Sequence, residues 1–145
     1  MAGHLDPERL DPGVLDGAAE HAFKYGACAA LAIVLHDRTG WPIVAITDAH
    51  NVYDGKAGDA SALHWTVRRP DGLLVDVDGP HEELDLVEEY HWEADDCEAA
   101  AGRTTRAHAE EQYVENQGEP IPLRLAATFV DVVLERAERD LEPKP

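Results

Sequence analysis

Apolar residues recur three and four apart near the start of the chain. Val14, Leu15, Ala18, Ala19, Ala22 and Phe23 predict a first helix, opened by Asp11-Pro12 and running to about Lys24. Tyr25-Gly26 interrupts it. From Ala27 the run Ala-Cys-Ala-Ala-Leu-Ala-Ile-Val-Leu is apolar on every side, which predicts a buried central helix. Asp37-Arg38-Thr39-Gly40 stops that helix, with Pro42 just beyond. Residues 43–47 form a short apolar run with the look of a strand, and 48–59, rich in Asp, Gly and Asn, read as loop.

The next segment alternates. Leu63, Trp65 and Val67 interleave with His64, Thr66 and Arg68; after Pro70-Asp71-Gly72, Leu73, Val75 and Val77 interleave with Leu74, Asp76 and Asp78. This is a hairpin, and a three-residue Pro-Asp-Gly connection sets its register by pairing Arg69 with Leu73. Asp78 then falls opposite His64, and Asp76 on the neighbouring diagonal. The expectation is one polar face carrying a histidine and two acids, with the apolar alternates on the other.

Farther on, 82–92 reads as an acidic helix with Leu84, Leu86 and Val87 inward, and 95–102 as a loop or short helix. Thr104 or Thr105 caps a polar helix through Tyr113. Pro120-Ile121-Pro122 resets the chain. A final helix spans 123–141, with Leu125, Phe129, Val132, Val133 and Leu134 among its buried candidates. Residues 1–10 are expected to be a flexible start and 142–145 a tail. No repeat or long linker divides the chain, so residues 1–145 make one α+β domain: a central buried helix on a small antiparallel sheet, with flanking helices.

Composition narrows this picture. With 145 residues, 44% of them hydrophobic, one domain buries a core without staples. Two cysteines make no disulfide framework. No apolar run reaches the roughly 18 residues of a membrane span, and no signal-like segment follows a basic start, so a cytoplasmic protein is expected. Thirty acidic against twelve basic residues give a net charge of −18, which argues against nucleic acid and membrane surfaces as partners. It suits solvation, or docking on a basic protein.

The chemistry lies in an order of residues. Gly26-Ala27-Cys28 opens the central helix, His64 stands on the first hairpin strand, and Asp76 or Asp78 on the second. A nucleophile, a base and an orienting acid need such an arrangement. Gly26-Ala27-Cys28 with Ala32, Leu35, Gly40 and Pro42-Ile43 resembles the Gly-x-Cys helix of transglutaminase-like proteins. His64-Trp65-Thr66-Val67, a turn, and Asp76-Val77-Asp78-Gly79 resemble that family's histidine and aspartate strands. The Asp-x-x-Gly at Asp76 and Gly79 also resembles the acid of the wider papain-like group, which favours Asp76 over Asp78.

The resemblance covers about residues 26–79 and implies a papain-like or transglutaminase-like fold with Cys28 as nucleophile, His64 as base and Asp76 as orienting acid. A protease, deamidase or acyltransferase acting on a protein or on a small amide or amine is the expected activity, with no cofactor. Tyr25, Trp65 and His81 are candidates for the substrate pocket. The only glutamines, Gln112 and Gln117, lie downstream of Cys28, so a backbone amide is left to complete an oxyanion site. No Arg-Gly-Gly leads into Cys28, which separates the chain from arylamine acetyltransferases.

Other patterns are weaker. His91, Glu93, Asp95, Asp96 and Cys97 include metal-capable side chains but lack ligand spacing, so no metal site is expected. A Cys28–Cys97 disulfide does not suit a reducing compartment. No glycine-rich phosphate loop points to a nucleotide. The rival to an enzyme is an acidic binding protein (an inhibitor, an immunity-type or a nucleic-acid-mimic module) in which Cys28 only fills the core.

Overall fold

A computed structural model describes residues 10–59, 61–94 and 98–138. It is a mixed α+β structure. The helices are α1 (Gly17–Tyr25), α2 (Cys28–Thr39), α3 (Glu83–Glu89), α4 (Arg106–Gln117), α5 (Leu123–Ala127) and α6 (Val130–Ala137). The strands are β1 (Ile43–Asp48), β2 (Val52–Tyr53), β3 (Lys56–Ala57), β4 (His64–Arg68), β5 (Leu74–Asp76), β6 (Gly79–His81) and β7 (Ala99–Thr104). They form one seven-stranded sheet in the order β2-β3-β7-β1-β4-β5-β6. Neighbours run antiparallel except β3 and β7, so the sheet is larger than expected and mixed.

Helix α2 is the centre. Every residue from Ala29 to Leu35 is buried, as its all-round apolar pattern requires. Its core takes Ile43 and Ala45 from β1, Trp65 and Val67 from β4, and Val75 and Val77 from the β5 hairpin, together with Phe23 of α1, Phe129, and Val133 of α6. A second cluster, built by Val44, Ile46 and Leu74 with Leu86, Val87 and Tyr90, lies under α3. The hairpin is therefore buried on both faces, and its expected polar face is not solvent-exposed. His64 and Thr66 are fully buried and Asp76 nearly so; Thr66 satisfies its hydroxyl on the Val44 carbonyl at 3.0 Å.

The hairpin register is the expected one at the turn: Arg69 N–H donates to Leu73 O, Arg68 pairs with Leu74 and Val67 with Val75. It does not continue to Asp78. The chain reverses after Asp76, which pairs with Gly79 across a tight turn, so Asp78 never lies opposite His64. Gly79 allows this reversal by adopting φ +106°, a conformation L side chains rarely take.

Several boundaries differ for local reasons. Helix α1 starts after Asp16, whose carboxylate accepts from Ala19 N–H at 3.0 Å, and not at Asp11-Pro12. The 48–59 segment holds the short β2–β3 hairpin around Asp54-Gly55. The acidic helix is shorter than 82–92, and Leu84 faces solvent. Thr105 caps α4 by accepting from His108 N–H, and α4 runs on past Tyr113 to Gln117. The final helix breaks at Thr128-Phe129, where the Thr128 hydroxyl takes the Leu125 carbonyl at 2.7 Å. Its expected continuation to 141 and the tail lie outside the described residues, as do nearly all of residues 1–10.

The segment read as loop or short helix contains β7, the strand between β1 and β3. Its residues 99–102 are Ala-Ala-Ala-Gly, with none of the large alternating side chains that announce a strand. Small residues are needed there. A Cβ on Gly102 would stand 2.6 Å from the Ala57 backbone nitrogen.

Candidate active site

Cys28 is the first residue of α2. The two leading helices bend by 94° across Gly26-Ala27, which carries α1 away and leaves the start of α2 open. The N-cap is Ala27, with no side chain to accept a hydrogen bond and no acid in the first turn. The first-turn amides thus have no side-chain cap, and the positive end of the helix dipole lies at the thiol. Cys28 is half-buried and unpaired. Its companion in the notional disulfide, Cys97, lies outside the described residues.

His64 begins β4 and is wholly buried. Its Nε2–H donates to Asp76 Oδ2 at 2.9 Å. The other ring nitrogen, Nδ1, is buried and has no hydrogen-bond partner. Burial alone would disfavour the imidazolium. The bond to the Asp76 carboxylate, with a further contribution from the Cys28 side chain, outweighs it and pushes the His64 pKa up from 6.5 to about 10. Asp76 mirrors this: burial opposes its charge, but bonds from His64 and His81 hold its carboxyl well below the usual range.

Of the two candidate acids, Asp76 is the one bonded to His64. Its Oδ1 accepts from His81 Nε2–H at 2.8 Å and from the Asp78 backbone N–H at 2.9 Å. Asp78 instead pairs with Lys24 at 3.5 Å, half-exposed. Asp76, Asp78 and His81 each bring a ligand-capable atom within 4.8 Å of the others. Both Asp76 oxygens are already committed to histidines, and the Asp78 carboxylate pairs with Lys24.

Beside Cys28 lies a cleft of about 220 Å³. Of the expected pocket residues, Tyr25 and Trp65 line this cleft, whereas His81 lies outside it on β6, bonded to Asp76. Three features escape the pattern of the sequence. Tyr90, at the end of α3, lies over the His64 ring with centroids 5.0 Å apart and planes 14° apart. Asn116 and Gln117, at the end of α4, line the same cleft. Gln112, one turn back, accepts the Ala62 N–H at 2.9 Å and so fixes the lead-in to His64. The one sequence signal was the scarcity of glutamine, both copies falling on α4.

The charged residues lining the cleft are Glu93 and Lys24. Glu89 and Asp78 act electrostatically on Lys24 and His81 nearby. His91 is engaged elsewhere, its Nδ1 accepting the Ala99 N–H at 2.9 Å; Asp95, Asp96 and Cys97 lie outside the described residues. Among the described residues no single helix is long and apolar enough to cross a membrane. The chain matches no family model, no curated protein and no solved structure.

Proposed function

We propose that this chain is a cysteine-dependent amide or acyl hydrolase or acyltransferase that works through a thioester at Cys28. The observation that carries the reading is the buried His64–Asp76 pair, whose one unpartnered ring nitrogen is left to a cysteine opening a helix. A papain-like or transglutaminase-like arrangement agrees with the mixed sheet and the buried helix bearing the cysteine.

In this reading His64 Nδ1 takes the Cys28 thiol proton, and the thiolate attacks the carbonyl carbon of an amide or ester. The uncapped amides of α2 stabilise the oxyanion, with Asn116 and Gln117 as further donors in the cleft. Collapse returns the proton from Nδ1–H to the leaving amine or alcohol and leaves the acyl group on sulfur. Water or an amine then attacks the thioester while His64 accepts its proton, and Cys28 departs as the thiolate. Asp76 keeps Nε2 protonated and stabilises the imidazolium throughout. The net charge of −18 favours a basic protein or an amine as the partner in one of the two half-reactions.

The test uses a Cys97→Ser protein, in which Cys28 is the one thiol, and p-nitrophenyl acetate. Release of one equivalent of p-nitrophenolate with an acetyl adduct on Cys28, seen by intact and peptide mass, is expected. The adduct should form far more slowly in His64→Ala. Absence of the adduct, or equal formation without His64, contradicts the reading.

A further inference from the structure

The nucleophile–base–acid scheme uses three residues, yet Asp76 has a further partner that the scheme leaves idle. Its carboxylate is shared between two imidazoles, one on each oxygen: His64 Nε2 on Oδ2 at 2.9 Å and His81 Nε2 on Oδ1 at 2.8 Å. The two histidines differ in access. His64 has no exposed surface, whereas the His81 side chain is 21% exposed. A buried dyad is thereby joined, through one carboxylate, to a histidine that meets solvent.

We propose that His81 is a positioning residue for this site, which fixes the Asp76 carboxylate on His64 and passes its own charge state to the buried dyad. This rests on the reading of Cys28, His64 and Asp76 as a working triad.

Two parts of the geometry carry it. First, a carboxylate held at Oδ1 by His81 and by the Asp78 N–H cannot rotate, so Oδ2 stays on His64 Nε2. The Gly79 turn serves this end: it folds β6 back along β5 and so brings His81 to face Asp76. Second, a carboxylate has one negative charge to share. When His81 is protonated, Asp76 is partly neutralised and holds the His64 imidazolium less strongly. When His81 is neutral, it still donates Nε2–H, and Asp76 gives its full charge to His64.

The surroundings of His81 decide where it titrates. Asp76 and Asp78 face it from the β5–β6 hairpin, and Glu89 acts on it from α3. Arg136 of α6 packs against the same turn, its guanidinium donating to Val77 O at 3.2 Å and pairing with Glu20; Lys24 of α1 pairs with Asp78. Burial disfavours its cation, but the acids outweigh it and raise the His81 pKa above the ordinary 6.5. His81 thus changes charge above the ordinary 6.5 of a free imidazole.

The experiment compares the Cys97→Ser protein with the same protein carrying His81→Gln or His81→Ala, by iodoacetamide alkylation of Cys28 across pH and by NMR of the His64 Nε2–H proton. In the parent, that proton resonance and the alkylation rate should both show an inflection above pH 6.5, where His81 ionises. Gln keeps a donor for Oδ1 but has no charge to lose, so His81→Gln should retain the rate within about threefold and lose both inflections. His81→Ala should slow alkylation roughly tenfold, the size of effect typical for loss of an orienting hydrogen bond.

If both variants keep the parental rate and both inflections, the inference is overturned while the triad stands. If the parent itself shows no His64-dependent reactivity at Cys28, the triad reading fails, and His81 has nothing to position. Thermal melting of each variant identifies a fold defect. Should His81→Ala unfold, His81→Gln, which preserves the hydrogen bond, decides between the outcomes on its own.

Discussion

Tyr90 lies nearly parallel to His64, with ring centroids 5.0 Å apart, and is itself almost wholly buried. It closes one face of the imidazole off from water and belongs to the smaller core beneath α3. The phenol is kept neutral by burial and by neighbouring negative charge, its pKa raised well above the ordinary 10.0. Tyr90→Phe should therefore keep both the fold and the reactivity of Cys28. Tyr90→Ala should cost about 3 kcal/mol of stability and admit water to the ring. Urea melts and alkylation rates measured on the two variants check this.

Asp76 and Asp78 separate cleanly. Only Asp76 touches His64, whereas Asp78 lends its backbone N–H and pairs its side chain with Lys24. Asp76→Asn should reduce acylation of Cys28 by about 100-fold or more, the scale on which a misplaced general base is felt. Asp78→Asn should leave the rate within about threefold, since its backbone N–H is untouched. Equal losses in the two variants would place the acid wrongly.

Stability should depend on pH through the dyad. The folded His64 pKa is raised from 6.5 to about 10, so its contribution is complete below about pH 6.5 and is lost as pH rises toward 10. The folded Asp76 pKa is lowered, so its contribution is present above the ordinary 3.8 and is lost on acidification below it. The pair predicts greatest stability between these limits. In His64→Leu, the decline between pH 6.5 and 10 should shrink relative to the parent in melting temperatures taken across that range. An unchanged decline would contradict the buried ion pair.

Gly79 is the hinge of the acid's setting. At φ +106° an alanine is strained whatever space surrounds it, and Gly79→Ala should cost about 1–3 kcal/mol. The same variant should loosen His81 from Asp76, slowing Cys28 alkylation more than a mutation of equal cost at a site remote from the triad. Gly40, which ends α2 with no atom within 4 Å of its would-be Cβ, is a suitable control: Gly40→Ala carries similar backbone strain far from Asp76.

Much of this was legible because side-chain alternation and turn chemistry are local. The apolar run of α2, the Pro-Asp-Gly turn and the order Cys28, His64, Asp76 can all be read from neighbours in the chain. The failures have a common cause in tertiary packing. Ala99-Ala100-Ala101-Gly102 forms a strand next to β1 because β3 approaches closely there, a demand no local pattern states. His64, Thr66 and Asp76 are buried, with Tyr90 stacked on the imidazole, and the hydrogen bond between His64 and Asp76 holds their charges against that burial. Asp78 does not oppose His64 because the chain turns back at once after Asp76, with Gly79 closing the turn. Asn116 and Gln117 reach the cleft only through the direction of α4.

The proposed chemistry rests on a thiolate–imidazolium pair at Cys28 and His64. Its most direct test is the pH dependence of alkylation at Cys28 in Cys97→Ser protein, with and without His64→Ala. With such a pair, the rate stays high well below the pH of about 8.5 at which a free cysteine thiol ionises, and collapses at those pH values when His64 is removed. A slow thiol, or one that follows the free-thiol profile whether or not His64 is present, would contradict it and leave Cys28 as packing in an acidic binding protein.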